Sequence, residues 1–158
     1  MEEQFRAYFG LLRELANTLD RLTPLAHQKA EAVRASDLLA LDEVLKQEQA
    51  LSLNLRGLEL RRQKLASPLG LDGTPLSELP QRCPAGLADE ARKASAALRM
   101  SYETYRGFSD VARNTLELNL HQIDKFLEES GVDPKLAAQG YEAPSTEPPP
   151  KMKTDFRA

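Results

Sequence analysis

The residues that could do chemistry in this chain are few and scattered. His27 and His121 are the only histidines. A metal centre would need each to have a His, Asp or Glu partner at a ligand spacing that recurs elsewhere, and no such repeat occurs. Asp42, Glu43 and Glu48 offer carboxylates. An iron-binding helical bundle, however, uses a Glu-x-x-His pair on each of two helices, and the chain has none. Gly70 and Gly73 do not make a phosphate loop, because no strand precedes them and no Gly-Lys-Ser/Thr follows. Cys83 is the single cysteine and has no nearby histidine in sequence, so it reads as an inert loop thiol. No internal disulfide or thiolate zinc cluster can form. Asn114 and Asn119 sit in a leucine-rich stretch, either as a polar register device or as surface residues. No enzyme and no cofactor is expected. The chemistry left is apolar burial.

The elements that position those apolar groups are long helices. The chain has 158 residues and is 41% hydrophobic, yet only 6% aromatic and without Trp. Leu and Ala mixed with Glu, Gln, Lys and Arg suit packed helices rather than a sandwich of sheets. Net charge is -3, with acids and bases interspersed, which argues against nucleic acid as a partner. The amino terminus lacks a signal-peptide pattern, and no run of about 18 apolar residues is present, so no stable membrane insertion is expected. The cytoplasm is the expected compartment.

Residues 37–65 read as one uninterrupted helix on which the rest leans. Val44, Leu51, Leu58 and Leu65 recur every seven residues, with Leu41 and Leu55 at the half-steps. Leu53 and Leu60 point the opposite way, so this helix needs apolar cover on two sides. Before it, residues 2–33 form a strict seam of Phe5, Tyr8, Leu12, Leu15, Leu19, Leu22 and Ala26. Gly10 lies beside that seam, where a neighbour can approach. Pro24 interrupts it. A kink is favoured over a fresh start with Thr23 as cap, because the seam continues through Ala26. Ser36 is expected to cap the central helix, with Asp37 at the positive end of its dipole. Arg56, Arg61, Arg62 and Lys64 read as favourable charge at its carboxyl end.

Residues 67–84 hold four prolines and two glycines and read as a connection folded back onto the helices through Leu69, Leu71, Leu76 and Leu79. One short turn is expected from Thr74-Pro75 to Leu79, ended by Pro80. A third long helix is expected from near Gly86 to Ser130, with Gly131 and Pro134 as its stop. Its first half carries small residues, with Leu87, Ala91, Ala94 and Leu98 as a thin stripe. Its second half carries Tyr102, Tyr105, Phe108, Val111, Ala112, Leu116, Leu120, Ile123 and Leu127, with Leu118 and Phe126 to the side. It is long enough to span the bundle and project beyond it. Residues 132–158 hold half of the prolines and no periodicity, and read as a disordered tail. The expectation is thus an all-α elongated antiparallel bundle of three long helices over residues 1–131, with a flexible proline-rich tail over 132–158.

Two stretches together resemble a known family. One is Asp37-x-x-x-Leu41-x-x-Val44, through KQEQAL, to Leu58-Glu59-x-x-Arg62-x-x-Leu65. The other is Leu76-x-Glu78-Leu79, Pro84 and Leu87, then the Asn114-containing helix ending Leu120-x-x-Ile123-x-x-x-Leu127. Their order and the proline-broken connection between them are similar to the FlgN-type flagellar type III export chaperones. The resemblance implies a small cytoplasmic helical protein that binds the carboxyl-terminal helical segments of the hook-filament junction proteins FlgK and FlgL. It implies that these are kept unassembled and delivered to the flagellar export gate protein. The family's tyrosine after the last helix, linked to export-gate contact, would correspond to Tyr141. The order Gly140-Tyr141 reverses the family's Tyr-then-Gly.

Residues and resemblance meet in one expectation. An amphipathic guest helix lies in a groove walled by Leu116, Leu120, Ile123 and Leu127 on one side and by Leu53 and Leu60 on the other. These residues would serve equally well as core. Without substrate, an exposed stripe should be hidden by self-association or by the tail. The alternative is a structural coiled-coil homodimer with no export role.

Overall fold

A computed structural model describes residues 1–131. Among these the chain is all-α, with no strand. Helix α1 is Glu2–Arg34 and α2 is Leu38–Ala66. A connection of single 3-10 turns at Ser67–Leu69, Leu76–Glu78 and Ala85–Leu87 encloses the short helix α3, Leu79–Arg82. Helix α4 is Ala88–Glu129. The tail and Tyr141 lie outside the described residues.

The helix at the centre is α1, not α2. Helix α1 packs against both α2 and α4, while α2 and α4 scarcely touch. It buries fifteen residues to the five of α2. The reason lies in residues beside the seam. Phe9, Leu11, Ala16 and Leu25 are buried along with Leu12, Leu15 and Leu19. At about 100° per residue these positions cover an arc of roughly 200°, wide enough for two neighbours. Helix α2 meets only one neighbour. It buries Val44, Leu55 and Leu58 and leaves Leu53 and Leu60 facing outward, 69% and 54% exposed.

Cross-helix pairs give the directions. Lys29 meets Glu48 at 2.9 Å and Arg61 meets Glu14 at 3.7 Å, so α2 runs back along α1. Arg6 meets Glu90 at 3.9 Å and Arg34 reaches Thr115 at 3.4 Å, so α4 runs in the same direction as α1. The small residues of early α4, Ala91 and Ala94, let it approach α1 closely, and Leu98 fills the core behind them. Leu71, Leu76, Leu79 and Leu87 of the connection are buried against the same cluster.

Several local expectations are corrected. The favoured continuation through Pro24 is what α1 shows, while the alternative of a fresh start is not, since Thr23 donates its hydroxyl to the Leu19 carbonyl at 3.0 Å and caps no new helix. Asp37, not Ser36, caps α2, accepting from the Ala40 N–H at 3.1 Å. Ser36 takes the left-handed conformation that lets the chain reverse (φ 54°). Pro80 stands in the first turn of α3 and does not end the preceding turn; proline suits that position because its missing N–H would have no partner there. Gly10 has open space where a side chain would be, so no close approach explains it. Arg62 is not simply carboxyl-end charge. It points inward and holds the buried Glu59.

One buried hydroxyl yields a test of the packing. Ser95 Oγ is buried where α4 meets Leu76, Ser77 and Pro80 of the connection, and it has no hydrogen-bond partner. Removing it should help, since an unpaired buried polar group costs about 1–3 kcal/mol. Ser95→Ala is expected to raise the melting temperature by about 2–4 °C. A lower melting temperature would show that the hydroxyl is needed.

Candidate functional site

The site is built by a length mismatch. The Arg34–Thr115 pair marks where α1 ends alongside α4. Helix α4 continues to Glu129, so residues 116–129, about 20 Å of helix, pass beyond the end of α1. Gly131, in the left-handed conformation at φ 76°, then closes the helix, donating to the Glu128 carbonyl at 3.1 Å.

The seam of α4 does not stop where its cover stops. Ala91, Ala94, Leu98 and Ala112 are buried against the body. At the same helical phase follow Leu116, Leu120, Ile123 and Leu127, spaced four, three and four residues apart. Leu116 and Leu127 are half-buried, Leu120 is 61% exposed, and Ile123 is exposed. Phe108 and Phe126, both exposed, flank this stripe, whereas the exposed Leu118 and Val111 lie on the opposite side of α4. Phe108 is steadied by an edge-on contact with the His27 ring at 6.1 Å between centroids. Where α4 leaves α1, Val33, Arg34, Thr115, Leu118, Asn119 and Gln122 line an open cleft of about 300 Å³.

The structure separates the two sets of residues expected to face each other. Arg61 lies level with Glu14, and Thr115 lies level with Arg34. Twenty residues of α1 separate those levels, about 30 Å along the axis. Leu60 thus lies about 30 Å and Leu53 about 18 Å short of the Thr115 level, and the structure does not bring either beside Leu116, Leu120, Ile123 and Leu127. The leucines at the overhang end are Leu38 and Leu39, the latter 86% exposed. The signal for them was present. They are two apolar residues in the first turn after the Asp37 cap, beyond the reach of the α1 seam.

The face that α2 turns outward is held by a buried polar clamp. Arg62 donates from Nε and Nη2 to the two carboxylate oxygens of Glu59, both at 2.8 Å, and from Nη1 to Tyr8 Oη at 3.1 Å. Glu59 is only 7% exposed. The paired carboxylate and the tyrosine oxygen favour the charged guanidinium, so the Arg62 pKa is raised still further. The clamp fixes the rotation of α2 on α1.

No side-chain constellation for bond chemistry appears here. Among the described residues no three His, Cys, Asp or Glu side chains gather to hold a metal. His121 and Asn114 are exposed, and the half-buried Cys83 donates to the Pro80 carbonyl at 3.3 Å. Burial pushes its thiol pKa up, which favours the unreactive protonated form. Among the described residues no helix is long and apolar enough to cross a membrane.

What the site offers is a long helix with an uncovered apolar stripe at its free end. The family model described as FlgN protein matches residues 1–147. The chain belongs to the FlgN family. Membership carries the general role of a flagellar export chaperone. No curated protein and no solved structure matches this FlgN-family chain.

Proposed function

We propose that the overhang of α4 receives the carboxyl-terminal helical segment of a hook-filament junction protein of the FlgK or FlgL kind. The guest lays its apolar face along Leu116, Leu120, Ile123 and Leu127, in the helix-in-groove mode. This covers surfaces that drive premature assembly, and the cytoplasmic complex delivers its cargo to the flagellar export gate. Tyr141 is the candidate gate contact.

The observation that supports this reading is the continuity of the α4 seam past the end of α1. A stripe that packs on α1 at Leu98 and Ala112 is 61% exposed at Leu120. Burying a leucine-sized side chain is worth about 1.5–3 kcal/mol. Association itself costs about 4–15 kcal/mol, so useful affinity needs most of the stripe rather than one residue.

The test is titration calorimetry of the full chain with a junction-protein carboxyl-terminal fragment. Saturable binding with a negative heat-capacity change supports the reading. Failure to bind any such fragment overturns it.

A further inference from the structure

We propose that the outward face of α2 pairs with the same face of a second copy of this chain, antiparallel. The face is a stripe. Leu39, Lys46, Leu53 and Leu60 recur every seven residues, with Ala50 and Gly57 at half-steps, and all six are exposed. At about 100° per residue they share a face opposite Val44, Leu55 and Leu58, which pack on α1. Among the described residues no helix covers them, and α4 runs on the other side of α1. Gly57 in the middle of a helix costs about 1 kcal/mol relative to Ala. Open space surrounds it within its own chain.

Charge selects the occupant and its direction. In the first half of α2 the exposed charges are Asp42, Glu43 and Lys46, and Lys46 is paired with Asp42 at 2.9 Å, which leaves Glu43. In the second half they are Arg56, Arg61 and Lys64. Glu48 and Glu59, which would blur this division, are turned away and held by Lys29 and Arg62. The face therefore runs from acidic to basic. A parallel copy would set like charge on like. An antiparallel copy sets each half against its opposite, so the face is complementary to itself.

One register seats the middle of the stripe and leaves the outer Leu60 and Leu39 opposite Glu43 and the Lys64 stem. With the two-fold axis midway between Ala50 and Leu53, each Leu53 meets the Ala50 of the other copy. Each Lys46 stem lies over a Gly57, where the missing side chain makes room. Each Glu43 comes within one residue's rise of an Arg61. Within its own chain Arg61 reaches only Glu14, at 3.7 Å and in solvent, an interaction of little strength. One helix per copy is a small contact beside the roughly 1,200–2,000 Å² of a stable complex. The dimer should therefore dissociate in the micromolar range. This pairing is independent of the guest site, which lies at the overhang.

The test is sedimentation equilibrium of the full chain over a micromolar to submillimolar range. The expected result is a reversible monomer–dimer equilibrium, weakened at least tenfold by Leu53→Glu with helicity unchanged. Glu43→Arg alone and Arg61→Glu alone should each weaken it, and the two together in one chain should restore it. Within one chain those positions are eighteen residues apart on a single helix, about 27 Å, so restoration can come only from an antiparallel neighbour. A chain that stays monomeric throughout overturns the proposal, as does a dimer indifferent to Leu53→Glu or a double reversal that fails to restore. So does a Leu53→Glu variant that loses junction-fragment binding instead of self-association, because the face would then serve the export substrate.

Discussion

Arg62→Leu is expected to lower the folding stability by about 3 kcal/mol, the largest loss from any single charged residue. The substitution leaves Glu59 buried with both carboxylate oxygens deprived of their guanidinium, and Tyr8 Oη without its donor. Breaking a buried pair costs about 3–5 kcal/mol because the abandoned charge has no solvent. The lower end applies, since Gln63 still reaches Glu59 at 3.4 Å. The charge alone is not what matters. Replacing both members, Glu59→Leu with Arg62→Met, should be far milder, within about 1 kcal/mol of the parent, because no orphan charge remains. Urea unfolding of the three proteins checks this. Similar losses for single and double variants would mean that the pair is worth its own energy and is not merely mutually dependent.

Leu120→Asp is expected to weaken binding of the junction-protein fragment about 100-fold, some 2.7 kcal/mol. The substitution places a charge in the middle of the stripe and removes a side chain that a guest would bury. It should leave helicity and melting temperature nearly unchanged, because Leu120 is already in solvent. Leu98→Ala is the opposite case. Leu98 is fully enclosed, so its truncation should cost about 2–5 kcal/mol of stability. Its effect on binding should be small so long as the protein is folded. Equal loss of helicity and binding in Leu120→Asp would show that Leu120 belongs to the core.

These two variants also mark where the sequence stops being legible. The periodicity of α1, the reversal before α2 and the run of α4 are local patterns, and local patterns suffice to place long helices. The identity of the central helix is not local. Helix α2 carries leucine on two sides and looks the better candidate, but the width of the buried arc on α1 depends on Phe9, Leu11 and Leu25 standing beside an already complete seam. The overhang is hidden for a related reason. From Ala91 to Leu127 the stripe of α4 keeps one phase. Whether a leucine in it is core or surface is decided by Arg34, eighty-odd residues earlier, where α1 ends. The structure sets Leu53 and Leu60 apart from the α4 stripe, and the heptad alone does not say which neighbour turns toward a face. Glu59 and Arg62 were legible only as an i,i+3 pair, and nothing in the spacing says that such a pair faces inward.

The most direct measurement is amide hydrogen exchange on the full chain with and without a saturating junction-protein carboxyl-terminal fragment. Among the described residues no other helix packs on the overhang, so residues 116–127 should exchange quickly in the free protein. The fragment should slow them at least tenfold while leaving 53–60 unchanged. Protection that appears on 53–60 instead, or an overhang already as protected as Leu98 before any fragment is added, would contradict the account.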